Sequence, residues 1–281
     1  MRIGLAYDII RWEEKALAYA VKDLGHTLEL IHVPESVFHL TEPNARGLDI
    51  VFERCVSFYR ALASSLTLQA QGVIVVNNFD IIRNCGDKMF TTVMLAKKGV
   101  PVPKTMITFD KVRTLEAAKS IGYPVVVKPI YGSWGRMIAK ADDESSLLDI
   151  LDFRENMPSP HFQIHYIQEF IRKPGRDIRA YYVWGEVPVA IYRVSQNWKT
   201  NTALGARAEP ANLDESTKEL VIKAGEAMGG GVLGVDLMED EDGRILVSEV
   251  NAVVEFKNTV RVTGYDLPRK IVSSTIEVLR A

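Results

Sequence analysis

Three side chains near the end of the chain, Asp236, Glu249 and Asn251, are predicted to lie on one face of a β-hairpin. Two apolar runs flank Asp242-Gly243, a dipeptide typical of two-residue hairpin turns. Such a turn places Asp236 directly opposite Glu249, and the alternation of side chains along a strand puts Asn251 on the same face. Two carboxylates in direct opposition repel each other unless a cation lies between them.

Two carboxylates and an amide oxygen form a hard donor set that suits Mg²⁺, an ion that keeps several waters and binds nucleotide phosphates. The alternative is a solvated strand face. Four valines between positions 247 and 254 argue against it because they predict burial. The same turn would place Glu241 opposite Arg244, and a bulge would shift the whole register.

A second group of residues is suited to binding phosphate. The apolar run at 125–127 ends in Lys128, and a charged lysine that closes a buried strand needs an anion. The glycine loop Gly132-Ser133-Trp134-Gly135-Arg136 follows, and its backbone N–H groups could contact phosphate oxygens. The segment is not a P-loop, because the strand precedes the lysine and no helix follows. An ordinary hairpin remains the alternative.

Further charged residues stand where they need partners. Lys88 begins a predicted helix, where the helix dipole disfavours a cation, so either a bound anion or simple solvation would explain it. Asp177, Arg179 and Arg193 lie on apolar strands. Their partners could be a phosphoryl or carboxylate group of a ligand, or the residues could pair among themselves.

The strand at 167–171 runs into a Pro-Gly connector and contains Gln168, Glu169, Phe170 and Ile171. The backbone of such a hinge can pair with the edge of an adenine while apolar side chains enclose the ring.

The chain is predicted to fold into three units of α/β and α+β type. In residues 1–86, strands at 2–7, 27–33, 48–53 and 73–77 alternate with helices at 12–24 and 59–71, which indicates a parallel sheet. Its first strand-to-helix turn, at 7–14, has no glycine, which disfavours a dinucleotide-binding Rossmann site. Residues 87–165 and 166–281 form two α+β units, with helices at 88–98, 114–121, 215–228 and 267–279.

Composition excludes several classes of protein. The chain has 281 residues, with 34 Lys and Arg against 36 Asp and Glu, so no nucleic-acid-binding charge is present. No apolar run approaches the roughly 20 residues of a membrane span, and the first eight residues predict a strand rather than a signal peptide. Cys55 and Cys85 are too few for a disulfide framework and indicate reduced thiols in a cytoplasmic protein.

Taken in order, these residues resemble the ATP-grasp superfamily over the whole chain, and within it the RimK-related group. The chain is most similar to the branch of that group that joins α-aminoadipate to the carrier protein LysW in lysine biosynthesis. The segments that carry this closer likeness are 11–15, 132–136, 173–179, 197–203 and 255–258.

The resemblance implies an N-terminal parallel α/β (pre-ATP-grasp) domain followed by a two-subdomain ATP-grasp fold. It implies an ATP- and Mg²⁺-dependent ligase that acts through an acyl phosphate. The bond formed would join the γ-carboxyl of the C-terminal Glu of LysW to the α-amino group of α-aminoadipate. The acidic tail of LysW would dock on basic residues near 131–136 and 197–207. A homo-oligomer is expected, with neither nucleic acid nor a membrane as partner.

The same resemblance implies a role for each site residue. ATP would be bound by Lys88, Lys128, Gly132, Ser133, Trp134, Gly135, Arg136, Gln168, Glu169, Phe170, Ile171 and Asp177; Mg²⁺ by Asp236, Glu249 and Asn251; the amino acid by Arg193, Glu255, Lys257, Asn258 and Thr259. Arg179, Arg193 and Asn201 would stabilise charge in the reaction.

Amino-acid choice stays open at this point. Glutamate-type relatives carry Gly-Phe where this chain has Asn258-Thr259, so this pair is expected to place the distal carboxylate of the longer substrate. One methylene is worth only about 1–3 kcal/mol, so use of glutamate, alone or as well, is the alternative. Two other hypotheses are a RimK-type ligase that adds glutamate to another acceptor and a nucleotide-binding regulatory module without turnover. The complete set of Asp236, Glu249 and Asn251 argues against the last.

Overall fold

The computed structural model describes residues 1–41, 47–132, 135–200 and 205–280. Of the residues predicted to form the site, Ser133, Trp134 and Asn201 lie outside this part of the chain. The strands form three sheets.

The first sheet is parallel, as predicted, with the strand order β2-β1-β3-β4. Its elements are β1 (Arg2–Tyr7), α1 (Trp12–Asp23), β2 (Thr27–His32), β3 (Ile50–Glu53), α2 (Phe58–Ala70), β4 (Ile74–Val76) and α3 (Phe79–Gly86). The helix α3 is absent from the sequence prediction. It begins where the side chain of Asn78 accepts the backbone N–H of Ile81 at 3.0 Å, and it buries Ile81, Ile82 and Cys85.

The second sheet is antiparallel, with the order β5-β8-β6-β7. Its elements are α4 (Lys88–Lys97), β5 (Thr105–Thr108), α5 (Lys111–Ile121), β6 (Val125–Lys128), β7 (Ala139–Ala141), α6 (Glu144–Glu155) and β8 (His165–Glu169). Because β8 pairs with β5 and β6, the chain passes to the next sheet after Glu169. The boundary expected between residues 165 and 166 therefore falls inside a strand of the central unit.

The third sheet is antiparallel, with the order β11-β10-β9-β12-β13. Its elements are β9 (Arg176–Val183), β10 (Ala190–Val194), β11 (Arg207–Ala211), α7 (Glu215–Met228), β12 (Val232–Glu239), β13 (Ile245–Asn251), α8 (Lys257–Thr263) and α9 (Leu267–Val278). One apolar core joins this sheet to the first unit, since Leu17 and Val21 of α1 belong to the same cluster as Ile271 and Ile276 of α9. No helix in the described ranges has both the length and the apolar character of a membrane span.

The hairpin of β12 and β13 has the predicted pairing of Asp236 with Glu249 and of Gly234 with Asn251, but not the predicted turn. The backbone N–H of Asp240 donates to the carbonyl of Arg244 at 3.0 Å, so the loop has three residues, 241–243. The expected pairing of Glu241 with Arg244 is therefore wrong. A bulge at position 248 adds one residue to β13. The two one-residue shifts cancel, and the three site residues keep their common face.

The helix α7 approaches β9 closely at Gly225, where a Cβ would lie 2.4 Å from Cδ2 of the buried Tyr182. We expect Gly225→Ala to lower the free energy of unfolding by about 1–3 kcal/mol, the usual cost of overpacking, which outweighs the roughly 1 kcal/mol gain in helix propensity. Lys223→Ala, at an exposed position of the same helix, should stay within about 0.5 kcal/mol. Urea unfolding followed by circular dichroism measures both, and equal stabilities would contradict the close contact.

Candidate active site

Asp236 lies at the centre of the site, buried on β12 between β9 and β13. Arg179 is its cross-strand partner on β9 and binds it through both Nε and Nη2, with Nη2 2.9 Å from Oδ2. Arg193 on β10 reaches the same carboxylate, with Nη2 3.2 Å from Oδ1. Burial alone would raise the pKa of Asp236, but the two guanidinium groups lower it below its ordinary value. The carboxylate is therefore ionised and already neutralised by protein.

Arg193 also binds Asp177, the next acidic residue of the site. Its Nε lies 2.6 Å from Oδ1 of Asp177, and the second carboxylate oxygen accepts the hydroxyl of Thr200. Lys173 completes the group, with Nζ 3.7 Å from Asp177 Oδ2 and 2.9 Å from Thr200 Oγ1. The pairing within the protein that the sequence left open therefore exists, and Asp177 holds Arg193 in place.

Glu249, half-buried opposite Asp236, is paired with Lys88. The Nζ of Lys88 lies 3.5 Å from Glu249 Oε1 and donates to the carbonyl of Gly132 at 2.6 Å. A cation at the first position of α4 is thus explained by two acceptors that face it. Because Lys88 neutralises one carboxylate and arginines neutralise the other, their opposition does not by itself require a metal ion.

The donor set nevertheless fits Mg²⁺. Asp236, Glu249 and Asn251 share one sheet face, and Nδ2 of Asn251 is buried with no hydrogen-bond partner among the described residues. Within the described residues, no cluster of three or more His, Cys, Asp or Glu side chains could hold a metal ion. A metal here would thus depend on the Asn251 amide and on oxygens from water or phosphate.

Lys128 lies at the end of β6 and enters a narrow cavity of about 90 Å³. Its Nζ donates to Oε1 of Gln168 at 2.6 Å, and burial lowers its pKa to about 8. The predicted hinge lines the same cavity through Gln168, Glu169, Phe170 and Ile171, together with Gly135 and Asp177. An ammonium group buried against a neutral amide is a natural partner for an incoming phosphate. Arg136 is exposed and does not line this cavity.

A larger cavity, of about 430 Å³, opens on the other side of the same cluster. The residues that line both cavities are Arg193, Asp236 and Glu249. One wall of the larger cavity comes from the C-terminal unit and includes Arg179, Asn251, Glu255, Lys257, Asn258 and Thr259. The N-terminal unit also lines this cavity, through Arg11, Glu13, Cys55, Phe58, Ile82 and Cys85.

The predicted amino-acid-binding residues differ in what they offer to this cavity. Thr259 is buried, and its hydroxyl is hydrogen-bonded to the hydroxyl of Tyr181 at 2.7 Å, so it is already engaged. Glu255 pairs with Nη1 of Arg11 at 3.0 Å. Asn258 lines the cavity beside them. A change of Thr259 to phenylalanine, as in the glutamate-type pattern, would need Tyr181 to move.

Sequence reasoning missed the contribution of the N-terminal unit to the cavity. Arg11 and Glu13 follow the carboxyl end of β1, the end of a parallel strand where ligands are expected. The position of this turn after a parallel strand is the signal that could have identified these two residues as part of the site.

The predicted docking region for the carrier is only partly described. Of 131–136 and 197–207, residues 133–134 and 201–204 lie outside the described ranges. In the remainder, Lys199 Nζ donates to the carbonyl of Ile138 at 2.6 Å, and Arg207 pairs with Glu209. Part of the basic charge expected there therefore has partners within the chain.

Comparison with known proteins gives close relatives over the whole chain. Residues 85–275 match the family model of the RimK-like ATP-grasp domain, and residues 3–83 match that of the LysX preATP-grasp domain. The chain is 43% identical to the α-aminoadipate–LysW ligase LysX of Saccharolobus solfataricus over 95% of this chain and 98% of that protein. It is 40% identical to the LysX of Sulfurisphaera tokodaii over 100% of both chains. It is 33% identical to the glutamate–LysW ligase ArgX of Sulfolobus acidocaldarius over 97% of both.

Solved structures share the fold at lower identity. A RimK domain ATP-grasp protein from Sphaerobacter thermophilus has a TM-score of 0.79 and 23% identity, covering 98% of this chain and 100% of that one. The ATP-grasp ligase PsnB, solved with a minimal precursor, Mg and ADP, has a TM-score of 0.76 and 18% identity, covering 99% and 97%. Fold, family models and full-length relatives agree, and the chain belongs to the RimK-like ATP-grasp family.

Proposed function

We propose that this chain is an ATP-dependent carboxylate–amine ligase that joins α-aminoadipate to the C-terminal glutamate of LysW. The observation that carries the proposal is that two cavities meet at Arg193, Asp236 and Glu249. A phosphoryl group passing from a nucleotide in the narrow cavity to a carboxylate in the larger one would cross this cluster. The relatives named α-aminoadipate–LysW ligases, at 40% to 43% identity, support the choice of substrates.

The reaction has two steps. The γ-carboxylate of the terminal glutamate of LysW attacks the γ-phosphorus of ATP, which gives an acyl phosphate and ADP. The amino group of α-aminoadipate then attacks the acyl carbon, loses a proton and expels inorganic phosphate. In both steps negative charge develops on oxygen atoms. Catalysis is therefore mostly a matter of positioning and of fixed positive charge.

Each charged residue has a place in this scheme. Lys88 and Lys128 would bind ATP phosphates, and the hinge at 168–171 would bind the adenine. Arg179 and Arg193, fixed by Asp236 and Asp177, would donate to the transferred phosphoryl group and to the tetrahedral oxyanion. Mg²⁺ held by Asp236, Glu249 and Asn251 would supply charge neutralisation at the phosphates.

Nucleotide binding must exchange partners within this site. In this structure Lys128 donates to Gln168, and Lys88 donates to Gly132 and pairs with Glu249. Phosphate oxygens are stronger acceptors than an amide or a carbonyl because their hydrogen bonds are charge-assisted. Both lysines would therefore turn toward ATP and leave Glu249 free for a cation.

The direct test incubates the purified chain with ATP, Mg²⁺, LysW and one amino acid at a time. Mass spectrometry of LysW then measures whether the amino acid has been added. We expect LysW to gain one α-aminoadipate residue, with a higher kcat/KM for α-aminoadipate than for glutamate. LysW without its terminal glutamate is the matched control and should not react. Turnover with glutamate alone would indicate the ArgX-type activity, and ligation that needs no LysW would indicate another RimK-type acceptor. If the chain hydrolyses no ATP with any amino acid, with or without LysW, the hypothesis of a nucleotide-binding regulatory module would be favoured instead.

Glu249 provides the cleanest test of the metal site, because it is half-buried and, among the described residues, Lys88 is its one cationic partner within salt-bridge distance, at 3.5 Å. We expect Glu249→Gln to lower kcat by about 100-fold or more while the fold is kept, since a fixed charge at the phosphates is lost. Glu239→Gln removes a carboxylate from the same hairpin that pairs with Arg176 and lines neither cavity. In steady-state kinetics at several Mg²⁺ concentrations, the kcat of this control should stay near that of wild type. Near-normal turnover of Glu249→Gln would exclude the assignment of Glu249 to the metal site.

The pKa of Lys128 predicts how ATP affinity depends on pH. Burial holds this pKa at about 8 and a bound ATP would favour the charged lysine, so ATP affinity should be highest below pH 8 and fall above it. The dissociation constant should rise by up to about tenfold per pH unit. Lys128→Arg stays charged and should abolish this dependence, as measured by calorimetry. Parallel pH profiles for the two proteins would show that Lys128 does not bind phosphate.

Added salt should change the KM for LysW and the KM for α-aminoadipate to different extents. Docking of an acidic tail on a basic surface depends on charges at the rim of the interface. Salt weakens these interactions, and at 0.1 M exposed charges more than about 10 Å apart are largely screened from each other. We expect added salt to raise the KM for LysW far more than the KM for α-aminoadipate, which would bind in the larger cavity. Initial rates over a salt series measure both constants, and equal sensitivity would contradict electrostatic docking.

A further inference from the structure

The N-terminus of α8 is capped by a residue from a distant part of the chain. Its own N-cap residue, Phe256, has no side chain that can accept a hydrogen bond. Instead, Oε1 of Glu13, in the first turn of α1, accepts the backbone N–H groups of Phe256 at 3.1 Å and of Lys257 at 3.0 Å. Glu13 is 5% exposed, so water does not compete for these bonds. A carboxylate at this end of a helix also interacts favourably with the helix dipole.

Two further contacts tie the residues before α8 to the N-terminal unit. Arg54 donates through Nη2 to the carbonyl of Val254 at 2.8 Å, and Glu14 holds this guanidinium with Oε1 3.1 Å from Nη2. Arg11 pairs with Glu255 at 3.0 Å. The chain is therefore held at four successive positions, 254 to 257, by residues of α1 and of the ends of β1 and β3.

This segment forms the polar wall of the larger cavity. Lys257, Asn258 and Thr259 in the first turn of α8 line the cavity, as does Glu13 itself. Tyr181 supports the segment from the other side, since its hydroxyl donates to the carbonyl of Glu255 at 2.8 Å. A shift of the first turn by about 1 Å would displace all three side chains, and errors of that size in binding groups cost up to about 100-fold in rate.

We infer that Glu13 is a positioning residue for the acceptor amino acid: by capping α8 from α1 it fixes the polar wall against which the amino acid binds. The inference rests on the proposed function, in which this cavity holds the amino acid. Glu13 acts through the backbone of α8, because its Oε1 is occupied by two N–H groups. Direct contact between this carboxylate and the ammonium group of the amino acid is the competing account.

The test compares Glu13→Ala with Glu13→Gln, whose amide oxygen can accept the same two N–H groups without the charge. For Glu13→Ala we expect the KM for α-aminoadipate to rise about tenfold, the scale of a lost cap, with the KM for ATP within about twofold. For Glu13→Gln we expect the KM for α-aminoadipate to stay within about threefold of wild type. If Glu13→Ala does not fold, Glu13→Asp, shorter by one methylene, takes its place with the same expectation.

Leu17→Ala is the matched structural control, because Leu17 lies in the buried face of α1 and contributes to the shared core. It should lower Tm without changing the KM for α-aminoadipate. A merely structural role of Glu13 would give this same pattern.

Amide hydrogen exchange of residues 255–259, followed by mass spectrometry, separates the cap from the activity. Exchange should be faster in Glu13→Ala than in wild type and slow in Glu13→Gln. If the wild-type chain does not ligate but hydrogen exchange follows this pattern, the proposed function is wrong and the capping of α8 by Glu13 is supported. If the wild type ligates and Glu13→Ala keeps its KM for α-aminoadipate, the positioning role is overturned. If Glu13→Gln keeps slow exchange yet raises that KM as much as Glu13→Ala, the carboxylate contacts the amino acid directly and the inference is wrong.

Discussion

The neutralisation of buried charge at Asp236 is the constraint on which the rest of the site depends. An ionised carboxylate taken out of water costs several kcal/mol unless it is paired and hydrogen-bonded. Here two arginines from two other strands supply the pairing, so β9, β10 and β12 must lie side by side with these residues on one face. Asp177 then fixes the second arginine. The sheet order of the C-terminal unit is thereby coupled to the chemistry that the site can perform.

In the cluster of paired charges around Asp236, cations outnumber carboxylates. Five cations, Lys88, Lys128, Lys173, Arg179 and Arg193, stand against three carboxylates, Asp177, Asp236 and Glu249. The lowered pKa of Lys128 shows how the protein tolerates this excess, since burial and the neighbouring lysines both favour its neutral form. A polyphosphate would reverse that effect and restore the charge. Fixed cations in excess favour a multiply charged anion, and the proposed Mg²⁺ would lie on the carboxylate side of the cluster.

The sequence predicts the pieces of this site better than their arrangement. Local patterns were sufficient for the parallel N-terminal sheet, for the strand that ends in Lys128 and for the pairing of Asp236 with Glu249. That pairing was correct although the turn was not, because the extra loop residue and the bulge at 248 offset each other. The pairing of β9 with β12, which brings Arg179 to Asp236, joins strands separated by a helix and two strands, and no local signal specifies it. The cap of α8 by Glu13 joins residues 243 apart, and only the packing of α1 against α9 creates it.

The cavity draws its two walls from different units, and this bears on how the enzyme would choose between amino acids. Apart from Arg11 and Glu13, the lining from the N-terminal unit is largely apolar, with Phe58, Ile82 and two neutral thiols, whereas the lining from α8 is polar. The pKa of each thiol is raised by burial, so neither Cys55 nor Cys85 adds charge to that wall. A substrate with a methylene chain and a distal carboxylate fits between such walls only if their separation is fixed. Discrimination of one methylene is worth about 1–3 kcal/mol, and a helix cap is worth about 0.5–2 kcal/mol. The two quantities are of the same size. If the amino acid binds in this cavity as proposed, selectivity for chain length would depend as much on the contacts that hold α8 against the N-terminal unit as on the side chains that touch the substrate.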